Sequence, residues 1–190
     1  MSSIIKFLKF RDVKSPQRQF GDAGIDFFIP NYSEEYVKDL LLANVNKPLL
    51  VKTNLVAAGN ADQADFQPKQ SIVLPAHCGI KIPSGIRSLI DPEYVLMFTN
   101  KSGVALRGLD VSATTVDASY QGEINLCLVN TTDDPITLNF GDKIVQAIIH
   151  KHYAGEFDVV NRSEITEEEF YKDHVSHRGT KGFGQGTGTT

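Results

Sequence analysis

Glycine and proline punctuate this chain at short intervals, and that spacing constrains its fold more than any other feature. The apolar, β-prone runs between them are predicted strands: residues 4–10, 25–29, 71–83, 94–99, 121–130, 136–138 and 143–152. Within E-I-N-L-C-L at 123–128, strict alternation places Ile124, Leu126 and Leu128 on one face. Many short strands separated by turn residues predict an all-β sandwich or barrel rather than alternating βαβ units.

Two helices are predicted among the strands. Ser33 is a suitable N-cap for a helix over residues 34–43, which has acidic residues in its first turn. Thr166 and Glu169 have the spacing of a capping box, which predicts a short helix that ends near Asp173.

The segment from 31 to about 70 differs in character from the rest of the chain. It contains the longer predicted helix, a turn at Pro48 and a Gly-Asn-Ala-Asp segment at 59–62 with little strand pattern. We interpret it as an insertion in a compact β domain that extends over residues 1–177.

Composition limits the class of protein. The 190 residues carry a net charge of −4, so general binding to nucleic acid backbone is not expected. Cys78 and Cys127 belong to no paired motif, which argues against a disulfide scaffold or structural zinc and favours a reducing compartment. Lysines interrupt the first ten residues, and no run approaches the roughly 20 apolar residues of a membrane span. A soluble, cytoplasmic protein is therefore expected.

The last thirteen residues, 178–190, alternate glycine with a few functional side chains. They include one aromatic ring, Phe183, and two cations, Arg178 and Lys181. Such a segment has too little apolar surface to form a core. It is either a frayed terminus or an arm that orders over a ligand, with the ring on a flat group and the cations on an anion.

Residues 115–123, T-V-D-A-S-Y-Q-G-E, are predicted to form a β-hairpin turn that presents Asp117 and Tyr120 on the same side. A carboxylate in this place could orient and deprotonate a water molecule, and a tyrosine ring could pack flat against a sugar. In the alternative interpretation, Asp117 and Ser119 only stabilise the turn through side-chain to backbone hydrogen bonds.

Three other segments allow both a structural and a functional interpretation. Asp26 ends A-G-I-D and is either a turn residue or a group near bound metal or water. A short helix is predicted from Val104, so Ser102 is either its N-cap or part of an anion site with Lys101. Gln146 is a polar residue in an apolar strand, where it either makes a core hydrogen bond or contacts a ligand.

Taken in order, five segments resemble the five motifs of the homotrimeric dUTPase family, the deoxyuridine 5′-triphosphate nucleotidohydrolases. They are A-G-I-D at 23–26, K-S-G at 101–103, V-D-A-S-Y-Q-G-E at 116–123, G-D-K-I-V-Q at 141–146 and R-G-T-K-G-F-G at 178–184. The resemblance implies a distorted β jelly roll, or dUTPase-like β-clip, with one or two short helices and a flexible C-terminal arm. The insertion makes a viral or phage-type member one candidate, in which case the location would be the host cytoplasm.

The implied reaction is hydrolysis of dUTP to dUMP and pyrophosphate by attack of water on the α-phosphorus. It would limit uracil incorporation into DNA and supply dUMP. The resemblance makes Asp117 the residue that activates the water, and it places Tyr120 against the deoxyribose. The remaining substrate contacts that it implies are Lys101, Ser102, Gly103, Thr115, Val116, Gln146, Arg178, Phe183 and Gly184, with Phe183 covering the uracil.

Asp26 and Glu123 would support this network. The resemblance implies Mg²⁺ held mainly by substrate phosphates and water, with no direct protein ligand. It also implies a homotrimer in which the arm, residues 178–190, closes over the site of a neighbouring subunit.

Some positions depart from the family pattern. Lys101 and Lys143 stand where arginine is usual, Ser119 where aspartate is usual, and Thr114 where glycine is usual. Two other functions stay open at this point. One is a dCTP deaminase, although the position of its catalytic glutamate corresponds to Cys127. The other is a dUTPase-like regulatory protein that binds a partner through the 31–70 insertion.

Overall fold

The computed structural model describes residues 4–58, 65–173 and 176. Its strands in this part of the chain are β1 Ile5–Lys9, β2 Ile25–Phe28, β3 Leu50–Ala58, β4 Asp65–Leu74, β5 Gly79–Pro83, β6 Ile86–Ile90, β7 Tyr94–Asn100, β8 Leu109–Val111, β9 Thr115–Val116, β10 Asn125–Asn130, β11 Ile136–Asn139 and β12 Lys143–Lys151. The helices in this part are α1 Glu34–Ala43, α2 Ser102–Ala105 and α3 Glu167–Tyr171. The prediction of an all-β fold with short helices is confirmed.

The strands form small antiparallel sheets around one core. The strand orders are β2-β12-β7-β9, β5-β10-β8, β11-β4-β3 and β1-β6. The alternation predicted for β10 is confirmed, because Ile124, Leu126 and Leu128 are all buried. They pack in one cluster with Phe27 and Phe98, whose rings meet edge to face with centroids 5.0 Å apart.

Several predicted strands differ in detail from the observed ones. The run 71–83 is two strands in different sheets, because a turn separates Leu74 from Gly79. Strand β10 begins at Asn125, since the residues before it form the turn that carries Tyr120. Strands β3, β6, β8 and β9 were not predicted. The last two have three and two residues, which is too short to produce a period.

The segment from 31 to 70 holds a helix and most of a β-hairpin. Helix α1 and its N-cap are as predicted, with the Ser33 hydroxyl accepting a hydrogen bond from Tyr36 N at 3.1 Å. The Gly-Asn-Ala-Asp segment at 59–62, where little strand pattern is expected, lies outside the described residues. On either side of it, β3 pairs with β4 from Leu50↔Val73 to Ala58↔Asp65. That the whole segment is an insertion stays a prediction.

Helix α1 is joined to the core through strand β5. Tyr36 Oη donates to Pro83 O at 2.8 Å. The Asn44 side chain donates to Lys81 O at 2.7 Å and accepts from Lys81 N at 2.9 Å. In the sheet, Pro83 and Lys81 are the register partners of Asn125 and Cys127. The helix is therefore hydrogen-bonded to the strand that lies beside β10.

The chain divides into two compact units between Ala154 and Gly155. Helix α3 lies in the second unit and has the predicted capping box, although it ends at Tyr171 rather than near Asp173. The predicted boundary between β domain and arm, at residue 178, lies outside the described residues. Among the described helices, none combines the length and apolar character that crossing a membrane demands.

Candidate active site

The hairpin that carries Asp117 and Tyr120 forms one wall of a cavity of about 210 Å³. Strand β9 pairs with β7, and the turn after it leads into β10. The cavity is lined by Phe98, Ala113, Thr115, Val116, Asp117, Tyr120, Ile124, Asn125 and Cys127. The structure therefore brings together four residues that the sequence indicated as site residues: Thr115, Val116, Asp117 and Tyr120.

Asp117 lines this cavity and is exposed. The turn closes through the backbone, with Tyr120 N donating to Asp117 O at 3.1 Å. Within the described residues, the exposed Asp117 side chain makes no hydrogen bond or ion pair. Stabilisation of the turn by the Asp117 side chain, the alternative interpretation, is therefore not observed. The carboxylate is available to accept a proton or hydrogen bond from a bound molecule.

Tyr120 is fixed at the edge of the cavity. Its hydroxyl donates to Glu123 O at 2.8 Å, so the ring lies across Gly122. A Cβ on residue 122 would lie 2.6 Å from Tyr120 Cζ, closer than side-chain atoms tolerate. Glycine at 122 therefore allows the ring to keep this position, with 42% of the residue exposed.

Glu123 has its carboxylate turned away from the cavity. Arg11 binds it in a two-pronged geometry, with Nε and Nη2 donating at 3.0 and 3.1 Å. Gly85 N also donates to it, at 2.7 Å. Glu123 thus supports the hairpin, and Arg11, which sequence reasoning missed, is its main partner.

A second cluster gathers Asp26, Lys101 and Lys143. The Asp26 carboxylate accepts from Lys101 Nζ at 2.5 Å and lies 2.9 Å from Lys143 Nζ. Burial opposes ionisation of Asp26, but hydrogen bonds and charges from the two lysines outweigh it and lower the pKa of the carboxyl. The sequence interpretation placed Asp26 near metal or water, whereas here its partners are the two lysines that replace arginine in the family motifs.

Gln146 belongs to the same cluster. It pairs with Asp26 and with Thr99 in the sheet, and its Nε2 donates to Asn100 O at 3.0 Å. A Cβ on residue 24 would lie 3.0 Å from Gln146 Cδ, so glycine in A-G-I-D gives this amide its space. One end of the amide is therefore used within the protein.

Ser102 and Gly103 begin helix α2. The predicted start at Val104 is wrong, because the helix begins at Ser102 and Lys101 is its N-cap without a side-chain cap bond. Ser102 is therefore not the cap. In the described part of the chain its exposed hydroxyl has no hydrogen-bond partner, and a Cβ on Gly103 would have no atom within 4 Å. Both residues face open space.

The first cluster is formed by the cavity residues around Asp117, and the second by Asp26, Lys101, Lys143 and Gln146. The two clusters lie toward opposite ends of one sheet. Val116 is level with Leu96 on β7, whereas Lys101 follows the far end of β7, after Asn100. At about 3.3 Å per residue, the five residues from Leu96 to Lys101 separate Val116 from Lys101 by about 17 Å along the strand. Because β9 is antiparallel to β7, Asp117 lies farther from Lys101 than Val116 does.

Three predicted contacts, Arg178, Phe183 and Gly184, lie outside the described residues. Phe98, Asn125 and Cys127 line the cavity but were not proposed as substrate contacts. The alternation of β10 contained a signal for two of them, because Asn125 and Cys127 must point away from the buried face. Burial raises the pKa of the Cys127 thiol, which is therefore protonated at neutral pH.

In the part of the chain that the structure describes, His, Cys, Asp and Glu side chains nowhere form a group of three or more that could hold a metal ion. The Asp26 carboxylate already forms ion pairs with Lys101 and Lys143. The Asp117 carboxylate forms no ion pair or hydrogen bond among the described residues.

Comparisons with known proteins identify the family of this chain. The family model described as dUTPase matches residues 63–185. The deoxyuridine 5′-triphosphate nucleotidohydrolase of Dinoroseobacter shibae is 31% identical over 143 residues, which cover 72% of this chain and 86% of that protein.

Two solved phage structures are similar in fold. The Staphylococcus bacteriophage 80alpha dUTPase with dUPNHPP has a TM-score of 0.65 at 19% identity, over 97% of this chain and 98% of that one. A mutant dUTPase from phage phi11 of S. aureus, described with a structural Mg(II) ion, has a TM-score of 0.58 at 16% identity, over 83% and 97%. The family match covers more than half of the chain and includes the hairpin with its cavity. The chain therefore belongs to the dUTPase family.

Proposed function

We propose that this protein hydrolyses dUTP to dUMP and pyrophosphate and that Asp117 activates the water. Family membership and the likeness to a named dUTP nucleotidohydrolase support the reaction. One observation carries the assignment of Asp117: its carboxylate is unpaired among the described residues and lies beside Tyr120 at the cavity.

The reaction exchanges one bond at phosphorus for another. Asp117 accepts a proton from water as the water oxygen bonds to the α-phosphorus. The bond from the α-phosphorus to the oxygen that bridges to the β-phosphorus breaks, and pyrophosphate leaves with that oxygen. Tyr120 packs against the deoxyribose, and the backbone near Thr115 and Val116 reads the uracil.

Positive charge near the leaving group stabilises the transition state. The candidates among the described residues are Lys101 and Lys143, whose ammonium groups lie beside Asp26. Each is a point charge rather than the planar fork of arginine, so phosphate contacts to them have less fixed geometry. Ser102, Gly103 and Gln146 complete this phosphate site, and Arg178 joins it from the C-terminal arm.

The separation of the two clusters supports a site shared between subunits. Because Asp117 and Lys101 lie toward opposite ends of one sheet, the phosphates of a nucleotide in one cavity would meet the lysines of a neighbouring copy. This agrees with the homotrimer that the family resemblance implies. The arm of residues 178–190, with Phe183 over the uracil, would close each site.

Mg²⁺ would accompany the triphosphate in this proposal. The residues present fit an ion held mainly by phosphate oxygens and water, because the described residues contain no group of three or more His, Cys, Asp or Glu side chains that could hold it. When bound, the ion neutralises phosphate charge. A cytoplasmic location also belongs to the proposal and fits two cysteines that are both free thiols.

The test of Asp117 is pyrophosphate release from dUTP by Asp117→Asn. We expect the rate to fall by roughly 10²–10⁴-fold, the usual size of a general-base contribution. Ser119→Ala, in the same turn, is the matched control and should retain wild-type activity. Equal rates for Asp117→Asn and wild type would overturn the assignment.

The shared site has its own test. Asp117→Asn and Lys143→Ala subunits are each expected to be impaired, but mixed trimers would contain some sites with both native halves. Refolding the two variants together should therefore restore activity. If the mixture is no more active than the separate variants, the site lies within one subunit.

The deaminase alternative is disfavoured by the cavity. The residue there is Cys127, and a protonated thiol does not supply the carboxylate that deamination needs. Ammonia release from dCTP would contradict this conclusion.

A regulatory role through the 31–70 segment has one supporting observation. Leu42 in α1 and Val45 just after it are 61% and 72% exposed, so two apolar side chains close in sequence are open to solvent there. Phage dUTPases with this fold have been described as controlling transfer of virulence genes by a proto-oncogenic G protein-like mechanism. Retention of a partner by wild type, but not by Leu42→Glu, with unchanged dUTP hydrolysis, would establish this second function.

A further inference from the structure

A continuous set of ion pairs connects helix α1 to the wall of the cavity. Asp39, on α1, accepts from Arg11 Nη1 at 2.8 Å. Arg11 then binds the Glu123 carboxylate through its other two nitrogens. The guanidinium also lies 5.6 Å from the ring centroid of Tyr36, another α1 residue. Helix α1 therefore fixes Arg11 on two sides.

The backbone carbonyl of Glu123 connects Arg11 and helix α1 to residues that line the cavity. Its carbonyl oxygen accepts from Tyr120 Oη at 2.8 Å and from Asn125 Nδ2 at 3.0 Å. The carboxylate of Glu123 thus faces Arg11, while its carbonyl holds two residues that line the cavity. The position of the Tyr120 ring depends on where Glu123 is held.

The link is partly shielded from water. The side chains of Arg11 and Glu123 are each 19% exposed. The hydrogen bonds that Arg11 donates to Glu123 raise the pKa of the Arg11 guanidinium further above its ordinary high value, so this group stays charged. A shielded carboxylate that loses its partner must move toward water or stay unpaired at a cost. Removing Arg11 would leave the Glu123 carboxylate with the Gly85 N–H at 2.7 Å as its remaining partner among the described residues, so Glu123 would be held less firmly.

We propose that Arg11 and Asp39 are positioning residues for sugar selection, acting through Glu123 on Tyr120. This rests on the proposed function, in which the Tyr120 ring lies against the deoxyribose and leaves no space for a 2′-hydroxyl. If the Tyr120 ring is held in one position against the sugar, it excludes the 2′-hydroxyl of a ribonucleotide. If the ring can shift, a ribonucleotide can bind. Helix α1 is in this sense a structural part of the substrate site.

The experiment compares dUTP with UTP in Arg11→Met, Asp39→Asn and wild type. The selectivity, the ratio of kcat/KM for dUTP to that for UTP, is the main readout. We expect the selectivity to fall about tenfold in Arg11→Met. A tenfold change corresponds to about 1.4 kcal/mol, which is close to the contribution of one hydrogen bond to a charged group. Asp39→Asn should lower the selectivity less, because Asp39 acts through Arg11. The loss should come mainly from KM for dUTP and from better use of UTP.

Arg87→Met is the matched control. Arg87 also lies over the Phe10 ring, at 5.1 Å against 5.4 Å for Arg11, but among the described residues it makes no hydrogen bond or ion pair with Glu123. It should leave the selectivity unchanged. Arg11→Lys keeps a cation but not the two-pronged geometry, so an intermediate selectivity is expected from it.

The selectivity ratio separates positioning from mere stability. If Arg11 only stabilises the fold, fewer molecules are active, both kcat/KM values fall together and the ratio stays at its wild-type value. That result would overturn the inference. Should Arg11→Met fail to fold, Arg11→Lys and Asp39→Asn carry the same test. Absence of dUTP hydrolysis by wild type would instead contradict the proposed function.

Discussion

Gly122 lies directly against the ring of Tyr120. A Cβ built on residue 122 would approach Tyr120 Cζ to 2.6 Å and Cε2 to 3.0 Å. The ring cannot tilt away freely, because its hydroxyl donates to Glu123 O. The Tyr120 ring can therefore keep its position only because residue 122 has no side chain.

Gly122→Ala should therefore displace Tyr120 from the cavity edge. We expect kcat/KM for dUTP to fall at least about tenfold, since a contact under 3 Å forces the neighbouring ring to move. Steady-state kinetics with dUTP measures this. Gly79→Ala is the control, because its Cβ would meet Val129 Cγ2 at an ordinary 3.6 Å. Wild-type kcat/KM in Gly122→Ala would show that the ring position does not affect catalysis.

The charged residues of the site could be identified from the sequence, but not their pairing. The motifs indicated Asp117, which lines the cavity, and Asp26 and Lys101, which pair with each other in the second cluster. Nothing in the sequence indicated that Lys101 and Lys143 both bind Asp26. Arg11 was missed altogether, because its contact with Glu123 spans 112 residues and only the fold brings the two together.

Helices were easier to predict than the strands of the 31–70 segment. Helix α1 has a cap, first-turn acids and a helical period, and these local signals agree. Strand β3 has polar residues at consecutive positions, Lys52, Thr53 and Asn54, so no alternation is visible. Its pairing with β4 depends on backbone hydrogen bonds that composition does not encode.

Stability should depend on Asp26 in a pH-dependent way. Because the pKa of Asp26 is lowered in the folded state, its contribution is complete above the ordinary carboxyl pKa of about 3.9 and is lost as pH falls below that value. Asp26→Asn should destabilise the protein by about 2 kcal/mol at pH 7. Tm measured from pH 6 to pH 2.5 should show the two proteins converging at low pH. A constant Tm difference across this range would contradict the ion-pair interpretation.

Cys127 offers a test of the cavity that does not depend on turnover. In Cys78→Ala, the remaining thiol lines the cavity, so bound dUMP should slow its reaction with a thiol reagent. In Cys127→Ala, the rate for Cys78 should not change with dUMP. The reaction of Cys127 should also be slow at neutral pH, because burial raises its pKa. Equal Cys127 rates with and without dUMP would mean that the nucleotide binds elsewhere.

Asn44 should be a major stabilising residue of helix α1. It is 6% exposed, and its side chain bonds to Leu40 O at 2.8 Å as well as to both backbone groups of Lys81. Asn44→Ala would leave the Lys81 N–H and carbonyl without these partners. We expect the free energy of unfolding to fall by roughly 2–4 kcal/mol, because buried backbone groups that lose a partner are costly.

Urea unfolding at one fixed protein concentration measures this change. Asn54→Ala is the matched control, because within the described residues the Asn54 side chain makes a single hydrogen bond, to Ser71 Oγ at 3.5 Å. It should change the free energy of unfolding by less than about 0.5 kcal/mol. Since Lys81 pairs with Cys127, Asn44→Ala should also speed thiol modification of Cys127 in the folded protein. A loss of stability without that acceleration would mean that α1 stabilises the core but leaves the cavity wall unaffected.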